Sequence, residues 1–224
     1  MLGRICCHKP TASLWSQILS HLPFTAFGAV VGITILWITL ALGMTGERYH
    51  AVFMGGHALH LIGSAFATTA LIRLMRPQSA FLFVAPLTVV TAVLLCHTSD
   101  VLIPILGERL AGFTGAHTHA HNLEAWAGKA LLALAGVVLG WRFVTSKLPH
   151  LGHVLVSTAA SAAHLGMSGA SSEIGLVTAG LLTAVLAIAV WLPCCVSDVV
   201  IPVAVAKFSA VGQPASARDA HPAT

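Results

Sequence analysis

Charge is what this chain has least of. Among its 224 residues, 11 are Lys or Arg and 7 are Asp or Glu, a charged share of 8%, where a soluble domain carries about 25%. With a mean hydropathy of +0.89, that scarcity excludes an ordinary soluble domain and places the chain in a lipid bilayer. Cysteine is also sparse, at five residues. Cys6 and Cys7 are adjacent and read as cytoplasmic, so no disulfide framework is expected. A cleaved leader is not expected either: Ala41-Leu42-Gly43 has a faint cleavage-like look, but the first apolar run is too long and too uninterrupted.

What the chain has instead is apolar length. Runs at 22–44, 52–75, 80–104, 123–141, 150–168 and 175–205 each approach or exceed the roughly 20 residues of a spanning helix. The spacing predicts an all-α integral membrane protein with six transmembrane helices. Residues 1–20 read as a cytoplasmic N-terminal segment and 207–224, rich in Ala, Ser, Pro and Gly, as a disordered cytoplasmic tail. With the N-terminus inside, the inner segments hold Arg4, Lys9, Arg73, Arg76, Arg142, Lys147, Lys207 and Arg218, against Arg48 and Arg109 outside. Basic residues favour the cytoplasmic side, so both termini are expected there, in a bacterial inner membrane.

The rare polar residues occur twice. Cys96-His97-Thr98-Ser99-Asp100-Val101-Leu102-Ile103-Pro104 returns as Cys194-Cys195-Val196-Ser197-Asp198-Val199-Val200-Ile201-Pro202. Chance matches of Ala or Leu are cheap in such a chain, but Cys, Ser, Asp and Pro in one register are not. His57-x2-His60-x3-Ser64 likewise returns as His150-x2-His153-x3-Ser157, and His21 with Gly28 as His121 with Gly128. The chain therefore divides into two three-helix repeats, 21–110 and 111–206. An odd number of helices per repeat makes the second enter from the opposite side, a 3+3 inverted-topology repeat.

Inversion sorts the motif residues into two expected sets at different depths. The outer one is His57, His60, Asp100 and His121; the inner one is His150, His153, Asp198 and His21. Three imidazoles and a carboxylate suit a first-row divalent metal, with Zn2+ foremost and Ni, Co, Mn or Fe(II) as alternatives. Two His at i and i+3 share a helix face and can converge on one ion. Ser64 and Ser157 follow on the same stripe as orienting groups. Cys96 and Cys194, four residues before each Asp, lie near the same face as accessory candidates. Polar side chains of this kind can also do no more than hydrogen-bond neighbouring helices, at about 0.6 kcal/mol on average. A whole ionisable cluster in a bilayer is costly, however, and favours a functional reading.

The two copies differ on the outside. His117-x-His119-x-His121-x2-Glu124 is a run of metal-capable side chains with no counterpart near His21, and it reads as a capture strip or as a solvated pH-sensitive one. Lys129, about 10 Å further along that helix, needs a partner, for which Asp100 and Glu124 are the candidates. His164, whose counterpart in the first copy is Leu71, is either an added ligand or a helix-packing residue.

Three functions follow. A metal transporter uses repeats to alternate access, with Pro104 and Pro202 loosening the backbone beside each Asp. An intramembrane metal-dependent hydrolase uses three ligands and an open position, with Asp100 or Asp198 as general base. A b-type haem protein uses facing histidines, but does not account for the aspartates. Duplication favours the transporter, since hydrolysis needs one site. The expected partners are a metal ion and the lipid bilayer, not nucleic acid; a homo-oligomer or an energising partner stays open.

Overall fold

The computed structural model describes residues 14–113, 123–144, 149–167 and 175–211. Among these residues the chain forms helices and no strand. Helix α1 (Leu14–Ala41) ends in a turn where Gly43 takes a positive φ of 73°, a conformation that costs glycine nothing. Helix α2 (Gly46–Met75) follows; Glu47 lies in its first turn and Arg73 in its last, each matching the helix dipole. Pro77 then stops its continuation.

Helix α3 (Phe81–His97) passes through a π-helical turn, Thr98–Leu102, into α4 (Ile103–Leu110). Helices α5 (Leu123–Arg142) and α6 (Pro149–Met167) precede a second such rod, in which α7 (Leu176–Cys195) passes through a π-helical turn, Val196–Val200, into α8 (Ile201–Val211). Both rods run past the ends expected from hydropathy, and α8 enters the stretch expected to be a disordered tail. The repeated nonapeptide explains the two π-helical turns. Proline has no N–H and its ring clashes with the preceding turn, so the ladder before Pro104 and Pro202 must shift. It does so by one residue: the N–H of Ile103 reaches the carbonyl of Thr98, and that of Ile201 the carbonyl of Val196.

Among the described residues, five helices are long and apolar enough to cross a membrane: His21–Ala41, Gly46–Met75, Phe81–Leu110, Glu124–Arg142 and Leu176–Lys207. The expected sixth, α6, is not among them. Its sequence carries His150, His153, Ser157, Thr158, Ser161 and His164, too many polar groups for that criterion. It is also well enclosed, with His153, Ser157, Ser161, Ala163, His164 and Leu165 all buried. Polar side chains are tolerated there because protein surrounds them.

Helix α2 packs along both α5 and α6. One apolar cluster, including Ala29, Leu36, Phe53, Leu165 and Leu186, joins α1, α2, α6 and α7. Another, including Leu61, Ala65, Val93, Ala133 and Val137, joins α2, α3 and α5. Small residues set how closely α2 is approached. A Cβ on Gly136 would run into the backbone carbonyl of Ile62, and one on Gly140 would come within 2.5 Å of the Phe66 carbonyl oxygen. At Gly128 a Cβ would meet nothing within 4 Å. Gly136→Ala should therefore lower stability in detergent by about 1–3 kcal/mol, and Gly128→Ala by less than about 0.5 kcal/mol. Equal melting shifts for the two variants would contradict this packing.

Candidate metal centre

The polar motifs of both copies meet in the middle of the bundle. Asp100 sits in the first π-helical turn and is fully buried. His57 and His60, one turn apart on α2, both direct Nδ1 at its Oδ2, at 2.9 and 2.8 Å. Ser157 of α6 donates to the other oxygen, Oδ1, at 3.0 Å. A carboxylate only accepts, so the two imidazoles carry their proton on Nδ1 and leave Nε2 as a lone pair. A carboxylate behind one ring nitrogen is how metal-binding histidines are oriented. Asp100 was expected as a ligand; its oxygens are taken up by two imidazoles and a hydroxyl, so its place is behind the histidines.

Across from it, His153 Nε2 of α6 lies 3.1 Å from Asp198 Oδ2 in the second π-helical turn. The rings of His60 and His153 stack, with centroids 5.9 Å apart and planes 8° from parallel. Their approach depends on Gly63, where a Cβ would come within 2.9 Å of His153 Cβ. Cys194 closes the group: one ligand atom from each of His60, His153 and Cys194 lies within 4.8 Å of the others, and all three residues are buried. Among the described residues this is the cluster with metal-binding geometry.

His57, His60 and Asp100 of one expected set thus adjoin His153 and Asp198 of the other instead of lying on the opposite side, for a geometric reason. The helices extend well beyond the apolar minimum, so motif residues near the ends of apolar runs lie mid-helix. His60 is about 21 Å from the start of α2, Asp100 about 15 Å from the end of α4, and Asp198 about 20 Å from the end of α8, at 1.5 Å per residue.

Hydroxyl groups knit the two copies together. Ser99 Oγ is 2.8 Å from Ser157 Oγ, and Ser64 Oγ is 3.0 Å from Ser197 Oγ. Each nonapeptide serine therefore meets the serine that follows the other copy's histidine pair. The carbonyls that the prolines deprive of a helical donor are answered the same way: Ser161 Oγ donates to the Ser99 carbonyl at 3.2 Å, and Thr68 Oγ1 to the Ser197 carbonyl at 3.2 Å. Thr68 and Ser161 did not emerge from the sequence, though each stands four residues after Ser64 or Ser157 and the spacing recurs.

Comparison with known proteins gives no match. No family model, no curated protein and no solved structure is similar to this chain.

Other candidates lie elsewhere. His21 is half-buried on α1 and outside the His60 cluster. His150 belongs to α6, but its side chain lies outside the described residues, as do His117, His119 and His121. Glu124 is exposed. Lys129 contacts neither expected carboxylate: its Nζ lies 3.4 Å from His97 Nδ1 and 4.6 Å above the Trp126 ring. Asp100 is occupied by His57 and His60, which leaves it no room for the amine. His164 pairs with Glu108, Nδ1 to Oε1 at 2.8 Å, and its ring meets Phe53 edge-on. Glu108, buried and unforeseen, is eight residues after Asp100; the π-helical turn takes up one residue and returns it to nearly the same face. Cys96 is buried in the α2–α3–α5 apolar cluster, outside the His60 group.

Two outcomes test this geometry. Asp100→Ala removes the acceptor of two buried imidazoles and a hydroxyl, and should destabilise the protein by about 3–5 kcal/mol; Asp100→Asn, which keeps a carbonyl acceptor, should cost less. Nitrogen-15 NMR of labelled histidine should show His57 and His60 protonated on Nδ1 in metal-free protein, and Nε2-protonated rings would contradict the assignment.

Proposed function

We propose that this protein binds a first-row divalent metal, zinc foremost, within the membrane and carries it across the bilayer. The observation that carries the reading is the convergence of His60 with His153 and Cys194, from three different helices, on one buried point. Two imidazoles and a thiolate suit zinc or a comparably soft ion. The metal is cargo in this reading. Its binding displaces the Cys194 proton, so loading is coupled to proton release.

The ligands favour transport because they are divided between the copies. His60 comes from the first, His153 and Cys194 from the second. Movement of one three-helix unit against the other by a few ångströms would dismantle the set and release the ion, which is what alternating access requires. The crossed serine pairs and the matching π-helical turns support a 3+3 inverted repeat in which α6 is the sixth crossing. The hydroxyl-answered carbonyls beside Pro104 and Pro202 give each long rod a point at which its direction can change. The eight-to-two bias of basic residues supports cytoplasmic termini in a bacterial inner membrane. His117, His119, His121 and Glu124 would then gather metal outside.

Purified protein in nanodiscs, loaded with zinc and washed, should retain about one equivalent by elemental analysis, the number one site holds. His60→Ala, His153→Ala and Cys194→Ala should each lose most of it, while His164→Ala keeps it. Proteoliposomes with a trapped zinc indicator should show uptake that the same three variants abolish. Retention without uptake would leave the site standing and overturn transport; no retention of any first-row metal would overturn both.

A further inference from the structure

A second site lies beside the metal centre and has a different chemistry. Helices α2, α3 and α5 part around a cleft of about 740 Å³, within the size range of small-molecule sites. Its walls include Met54, Leu61, Val101, Leu131 and Leu132. Met54 and Leu131 are exposed, so in a membrane the cleft opens sideways to lipid. Gly128 also lines it, and the open space beside that residue is part of the same gap.

The polar end of the cleft is cationic. Lys129 lines it, held over the Trp126 face and beside His97. No described carboxylate lies within ion-pair distance of Lys129: Asp100 holds His57 and His60, Asp198 adjoins His153, Glu108 holds His164, and Glu47 and Glu124 are exposed. The neighbouring segment 114–122 contains no Asp or Glu. An amine in an apolar cleft with no countercharge among the described residues is costly, and an anionic ligand would supply one.

We propose that this cleft binds a long-chain carboxylate from the bilayer, with its acyl chain between α2 and α5 and its head group on Lys129. The largely apolar walls between three helices suit an acyl chain, and a carboxylate matches, as a charge-assisted acceptor, an ammonium beside which no described carboxylate stands. The assignment does not rest on the metal reading.

Trp126 makes the site observable, because bromine quenches indole fluorescence at contact. Dibromostearate titrated into full-length protein in detergent should give saturable quenching, and Trp126→Phe should remove the saturable part. Lys129→Met should weaken binding by at least about tenfold, the loss of a hydrogen bond to a charged group, while Lys129→Arg should largely keep it. Gly128→Leu, which fills the gap, should abolish it. Each variant's thermal melt reports its folding separately. Equal quenching by dibromostearyl alcohol, or unchanged binding in Lys129→Met, would reduce the cleft to a lipid-facing groove and overturn the proposal. Tighter binding of brominated phosphatidylglycerol than of dibromostearate would overturn the carboxylate assignment in favour of a phospholipid.

Discussion

A carbonyl without a donor is the constraint on which the rest of this structure depends. In a low-dielectric bundle a buried backbone group left unpaired costs several kcal/mol, and each copy creates that difficulty with its Ile-Pro pair. The π-helical turns answer part of it. The remainder is met by Ser161 and Thr68, whose hydroxyls reach the Ser99 and Ser197 carbonyls from the opposite copy. Once those two bonds are required, the copies must cross at the height of the prolines. His60 and His153, about two turns earlier on the same helices as those hydroxyls, then arrive beside the aspartates.

Much of this was legible in the sequence because the motif residues are chemically rare. His57, His60 and Asp100 were assigned to one set from spacing alone, and the structure brings them together through Asp100 Oδ2. Ser157 was expected among the second copy's groups, yet it donates to Asp100 of the first. That exchange was not legible, because pairing between copies depends on depth, and depth was read from hydropathy. Hydropathy marks where lipid-compatible sequence begins, not where the helix does. Glu108 was missed for a related reason: its register with Asp100 holds only if the helix accommodates an extra residue, which a regular period of 3.6 does not reveal.

The copies share a framework and differ in what surrounds it. His164 and Glu108 form a buried pair where the first copy has Leu71 and the second has Ala206 at the matching positions. Lys129 and the cleft beside it also belong to one flank, where α5 stands away from α2 at Gly128 but closes on it at Gly136. On the matching flank, α1 already rests against α6 at Gly28, where a Cβ would lie 3.2 Å from Thr158 Oγ1. The serine and carbonyl bonds thus recur at the buried centre, while the flanks differ.

Helix α6 has a consequence for how the chain is assembled. A segment that carries three imidazoles and several hydroxyls gains little by leaving the translocation machinery for bare lipid. Ser157 and Ser161 find their complements in the first π-helical turn and His164 at Glu108 of α4, all synthesised earlier, whereas His153 meets Asp198 of the second π-helical turn. Most of the partners α6 needs thus precede it in the chain, and the last one, Asp198, follows it, so its polar set is complete only once the second rod is in place.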